Sequence, residues 1–189
     1  IPFIFLALFS TLLALGQFRK LFILFMPITL LPVIFSQVFL SRLSRLMLLN
    51  DKLKFFRKVF LVTLPLLSLP YLLMWPLGDW LYQISFNEAL DPADLLMLHL
   101  VLATLWLTLL KTYFEVLLTS LGANHYKAML VTLAVAITAL AYCWFNYDLT
   151  VQLTAWLFLT GNVLITSMLV AACVWQIVQQ KSQAQQKQS

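Results

Sequence analysis

Leu21 to Leu40 is a run of twenty residues without a single charge, and comparable apolar blocks recur to the end of the chain. A helix rises about 1.5 Å per residue, so about 20 residues cross the roughly 30 Å hydrocarbon core of a bilayer. Inside lipid every backbone N–H and C=O must be satisfied within the protein, which restricts a chain of this pattern to helices. Hydrophobic residues make up 62% of the sequence and charged residues 10%, with a mean hydropathy of +0.93. Soluble domains carry about 25% charged residues, so a water-facing surface cannot be built from this chain. The expectation is an all-α integral membrane protein, a bundle of about six transmembrane helices.

The blocks predict spans over Ile1–Leu15, Leu21–Leu40, Phe55–Trp75, Pro92–Ser120, Ala128–Phe145 and Leu149–Val178. Tight turns are expected at Gly16–Lys20 and Asn146–Asp148. A longer acidic loop is expected around Asn87–Asp94, with Asp91 and Pro92 opening the next helix as cap and first helical residue. Gly122 is expected just past a helix end. Pro27, Pro32, Pro65 and Pro70 fall inside spans and favour kinks there. Trp75, Trp80 and Tyr82 suit an interfacial aromatic belt. Residues 1–178 then form the bundle, and 179–189, KSQAQQKQS with two preceding glutamines, form a polar tail. The opening Ile-Pro-Phe-Ile lacks a Met and a charged leader, so the sequence reads as the C-terminal part of a longer protein.

Ser41 to Lys58 interrupts the apolar pattern. It carries Arg42, Arg45, Lys52, Lys54, Arg57 and Lys58 against the single acid Asp51. Its leucines, Leu43, Leu46, Leu49 and Leu53, recur at helical spacing, so the preceding helix is expected to run past the membrane surface and turn at Asn50–Asp51. Basic connections between spans stay on the cytoplasmic side. With this elbow inside, nine of the twelve Lys and Arg are cytoplasmic and the C-terminus is too. Arg19 and Lys20 fall outside, and Lys111 within a span. The formal net charge of +5 is therefore read as loop and tail anchoring to membrane lipids, not as a nucleic-acid surface. Cys143 and Cys173 both lie in apolar segments and read as packing residues, with no metal-site spacing.

Lys111 and Glu115 are the sharpest charged feature inside a span. They are four apart and share a helix face with Thr104, Thr108 and Thr119. Ionisable residues within spans are costly and face a protein interior or a wet cavity. Two readings follow: Lys111 and Glu115 contact an anionic substrate or a coupling ion, or they form a self-neutralised pair with Lys111 reaching to headgroups. Asn162, amid Thr160, Gly161, Thr166 and Ser167, makes the last span polar near its middle. It serves either a substrate path or helix packing. His99 reads as interfacial or packing, and His125 as a solvated loop residue.

Three segments resemble the C-terminal half of the multidrug/oligosaccharidyl-lipid/polysaccharide exporter superfamily, especially its O-antigen-type flippases. VFLSRLSRL, then Asn50-Asp51 and KLKFFRK, is similar to the family's cytoplasmic loop of proline-x-leucine-serine-arginine, glycine-aspartate and basic residues. Ser41 and Asn50 stand for the usual proline and glycine. PLGDWLYQISFNEALDPADLLML is similar to an outer loop leading into a helix, with Asn87 where a glycine is frequent. LLTSLGANHYK is similar to a short inner loop of glycine and base. Asn146-Tyr147-Asp148 departs from the family's glycine-rich turn. The resemblance implies a multi-pass protein of the inner membrane, the second lobe of a two-bundle transporter whose first lobe precedes this sequence. It also implies alternating access and a lipid-linked oligosaccharide, a polyprenyl diphosphate, as the substrate, with Lys111, Glu115, Thr108 and Asn162 as substrate-binding candidates.

No phosphate-binding glycine loop, HExxH or Ser-His-Asp set occurs, so no enzyme, metal or cofactor is expected. Two alternatives stay open: a cation-coupled drug exporter of the same superfamily, which needs cavity carboxylates, and a membrane-embedded enzyme of envelope synthesis, which needs a large loop bearing acids or histidines.

Overall fold

In the computed structural model the described residues are 12–88, 91–144 and 151–186, and all regular structure among them is helical. Five helices follow in order: α1 Leu12–Ser44, α2 Leu49–Phe86, α3 Pro92–Ser120, α4 Asn124–Trp144 and α5 Val151–Gln186. Each contains a stretch long and apolar enough to cross a membrane. Most of the expected first span, Ile1–Leu15, and the expected turn at Asn146–Asp148 lie outside the described residues.

α3 is the central helix and packs against the other four, most extensively against α5 and α1. Its Met97, Leu98, Leu102, Leu109, Tyr113 and Leu118 are among the largest fully buried side chains. Outward faces are apolar as well: Ile34, Leu61, Val62, Leu66, Leu72, Leu140 and Val178 are all exposed. A surface of this kind exceeds what water tolerates on a soluble monomer and matches a lipid-facing one.

Several expected boundaries move. The turn expected at Gly16–Lys20 does not form, and α1 runs through it. One mid-helix glycine costs about 1 kcal/mol, too little to break a helix flanked by good helix formers such as Arg19 and Lys20. The elbow turns at Arg45–Leu48, before Asn50–Asp51, which fall in the first turn of α2. Asp51 there faces the positive end of the helix dipole. α2 continues through Pro76 to Phe86, so the acidic connection shrinks to Asn87–Asp91. Asn87 ends α2 in the left-handed conformation (φ 53°), and Gly122 follows α3 at φ 78°. α5 extends past Val178 to Gln186, so most of the expected polar tail is helix.

Prolines leave carbonyls without a helical donor, and one such gap is filled from a neighbour. Pro32 has no N–H for the Ile28 carbonyl, and the buried Tyr71 hydroxyl of α2 donates to it at 3.4 Å. Small residues bring helices close elsewhere: Gly78 packs against Leu98, and Gly161 against Thr138. Between α1, α2 and α3 an aromatic cluster surrounds Tyr113, with Phe35 at 4.7 Å and Phe60 at 5.2 Å between ring centroids. Thr63 donates its hydroxyl proton to the Val59 carbonyl, so the Tyr113 hydroxyl is the donor in its 2.8 Å bond to Thr63.

The antiparallel helices sort charge to two ends. At one end Lys52 of α2 donates to the Ser120 carbonyl at 2.6 Å, and Gln180 of α5 donates to the Leu121 carbonyl at 3.1 Å. Both contacts satisfy the unpaired carbonyls at the C-terminus of α3. Arg42, Arg45, Lys54, Arg57 and Lys58 are exposed at this basic end. At the other end Lys20 pairs with Glu88 at 2.7 Å and lies over the Phe86 ring, and Glu88 is close in sequence to Asp79, Asp91 and Asp94. The bond to Glu88 raises the Lys20 pKa above its ordinary value. Trp75, Trp80, Trp144 and Trp156 are exposed toward this acidic end, as a belt requires, but Tyr82 is buried against Phe86.

Candidate functional site

Sequence spacing pairs Lys111 with Glu115, and the structure adds a second cation. Lys111 Nζ lies 3.9 Å from Glu115 Oε1, and Lys127 Nζ lies 3.5 Å from Glu115 Oε2. Lys127 reaches across from the first turn of α4, which begins at Asn124, earlier than the expected Ala128. One carboxylate thus bridges two ammonium groups from two helices, leaving net charge +1. All three side chains are partly exposed, 22% for Lys111 and Glu115 and 34% for Lys127.

Glu115 and Lys127 line a cavity of about 250 Å³ with Thr112, Val116 and Thr119 of α3 and Pro32, Val33, Ser36, Gln37 and Leu40 of α1. It lies toward the basic end, since Glu115 is only about 7.5 Å along the axis from the last residue of α3. Its polar lining contrasts with the apolar outer surface. Polar groups facing hydrocarbon without partners cost several kcal/mol each, so this face suits water or protein, not acyl chains.

The donors in the groove are few. Ser36 gives its proton to the Val33 carbonyl, and Thr112 gives its proton to the Thr108 carbonyl. These hydroxyls present lone pairs outward. Among the lining residues the Lys127 ammonium, the Gln37 amide and the Thr119 hydroxyl remain as donors, while Lys111 is outside the lining and joins the site only through Glu115.

Not every candidate joins this site. Thr108 is half-buried, donates its hydroxyl proton to the Thr104 carbonyl and is not among the residues that line the groove. Thr104 is fully buried and donates to the Leu100 carbonyl. Asn162 is buried on α5, where its side-chain amide donates to the Phe158 carbonyl and its backbone carbonyl accepts from the Thr166 hydroxyl. These back-bonds satisfy polar atoms inside apolar helices. Of the six elbow cations, Lys52 is engaged with α3 and the other five are exposed. His99 stacks on Trp75 with ring centroids 4.5 Å apart. Cys173 is buried in the core.

Lys127 was missed because it sits in a segment that reads as a loop. A single sequence exposes partners within a helix by their spacing, but not partners across helices. The one available signal was that a basic residue follows Gly122 by five positions, which is one helical turn into a new helix. No group of three or more His, Cys, Asp or Glu side chains able to hold a metal occurs among the described residues. No protein-family model, curated protein or solved structure matches this chain.

Proposed function

We propose that this chain is the C-terminal lobe of a two-lobe transporter that moves a lipid-linked oligosaccharide across the inner membrane by alternating access. The observation that carries this reading is the polar groove lined by Lys127 and Glu115, with Lys111 paired to Glu115 from beside the lining, so that the three-residue cluster carries net charge +1 on an otherwise lipid-compatible bundle. A polyprenyl diphosphate presents an anionic group close to the membrane surface, and ammonium groups bind phosphate oxygens by charge-assisted hydrogen bonds. The polar face needs cover from water or protein, and a facing first lobe supplies it. In this reading the basic end and the C-terminus lie in the cytoplasm, in line with the positive-inside rule.

The groove argues against the drug-exporter alternative. Its one carboxylate is bridged by two lysines, which disfavours a cationic substrate. The envelope-enzyme alternative loses ground too, because the acidic connection is short. The test is export: Lys127→Ala removes surface polysaccharide while the protein stays in the membrane, whereas normal polysaccharide in that variant contradicts the reading.

A further inference from the structure

Glu115 is held in a way that differs from the Lys20–Glu88 ion pair. Lys20 and Glu88 meet at 2.7 Å, the length of a charge-assisted hydrogen bond. Glu115 stands 3.5 Å from one lysine and 3.9 Å from the other, on opposite oxygens, in tight contact with neither. Among the described residues neither Lys111 nor Lys127 has another acceptor. Two ammonium groups thus keep most of their donors free, with one loosely shared carboxylate between them; Glu115 and Lys127 line an open cavity, and Lys111 stands beside that lining, next to Glu115.

We infer that Glu115 is the resident counter-anion of the groove, and that an incoming phosphate or diphosphate takes its place on Lys127 and Lys111. The inference rests on the anion-transport reading above and adds an exchange mechanism to it. An empty groove with one unpaired cation in its wall and a second beside it, near hydrocarbon, is costly, and the carboxylate offsets that cost. A diphosphate brings more charge and more acceptor oxygens than one carboxylate, so it competes for the same donors. The exchange breaks the Lys127–Glu115 link, which ties the start of α4 to α3. Occupancy is thereby coupled to the packing of α4, whose contacts with α3 are sparse compared with those of α5.

The test is pyrophosphate binding to the full-length protein in phosphatidylcholine nanodiscs, followed by calorimetry. Glu115→Gln keeps shape and removes the competing charge, so it binds pyrophosphate about tenfold tighter than the parent protein, a difference of about 1.4 kcal/mol. Lys127→Ala binds more weakly than the parent. Glu115→Leu serves as a second variant and shows the same gain. Equal or weaker binding by both Glu115 variants overturns the inference, as does a lack of pyrophosphate binding by every form. Adding phosphatidylglycerol separates the sources of phosphate. Loss of pyrophosphate binding to Glu115→Gln then identifies a lipid headgroup as the occupant that displaces Glu115, and retained binding identifies the diphosphate itself. The function and the inference fail separately. Tighter binding in a protein that exports no glycan precursor removes the flippase reading alone. Unchanged binding in a protein whose Lys127→Ala form traps the precursor removes the counter-anion alone.

Discussion

The Tyr71 hydroxyl donates to the Ile28 carbonyl across the α1–α2 interface, and Ile28 is the residue four before Pro32. Pro32 offers no N–H, so that carbonyl has no partner in its own helix. Tyr71→Phe should destabilise the protein by about 0.5–1 kcal/mol, the low end because the bond is long at 3.4 Å. In a Pro32→Ala background the helix supplies its own donor, and Tyr71→Phe should then cost close to nothing. A double-mutant cycle on thermal unfolding in detergent checks this, and equal costs in both backgrounds contradict it.

Lys52 is distinct from its basic neighbours because it holds the C-terminus of α3. Lys52→Ala removes a charged donor from the Ser120 carbonyl and should cost about 1–2 kcal/mol. Lys54→Ala, at an exposed position, should stay within about 0.5 kcal/mol. Unfolding midpoints that fall equally in the two variants would mean that the carbonyl contact contributes nothing.

Gly122 has a φ of 78° with open space around it, so the cost of a side chain there is in the backbone alone. Gly122→Ala should destabilise by about 1 kcal/mol, and Gly122→Asn by less, because asparagine tolerates the left-handed region. The order of the two unfolding midpoints is the readout.

The end assignments predict a labelling pattern. Met47 is 93% exposed at the basic turn, and Glu88 is exposed at the acidic end. In intact cells a membrane-impermeant thiol reagent should label Glu88→Cys and leave Met47→Cys unlabelled until the membrane is opened, in a background with Cys143 replaced. The reverse pattern inverts the topology and with it the direction of the proposed transport.

Much of the fold is legible in the sequence because apolar runs report where a helix enters and leaves lipid. They do not report where it stops being helical. α2 is 38 residues long, about 57 Å, and outlasts the roughly 30 Å core at both ends. For that reason Asn50, Asp51, Asp79 and Gln83 read as loop residues and turn out to be helical. The same limit hid the helical run from Gln179 to Gln186, where Gln180 caps α3. At the site, Lys111 and Glu115 were visible from their spacing. The third member, Lys127, was not, because its partner lies on another helix. Thr108 was marked by the helix face it shares with Lys111 and Glu115, and Asn162 by polarity, and neither signal separates a polar group facing a groove from one bonded back to its own helix.

The central claim is that Lys127 of the groove and Lys111 beside it serve translocation and not synthesis, and the fate of the glycan precursor tests it most directly. Cells carrying Lys111→Ala and Lys127→Ala together should make the lipid-linked oligosaccharide in normal or raised amount and retain it on the cytoplasmic face of the inner membrane. The measurement is the quantity and leaflet of the precursor, read with a membrane-impermeant glycan probe before and after the membrane is opened. Precursor that reaches the outer face normally, or that is never made, contradicts the account.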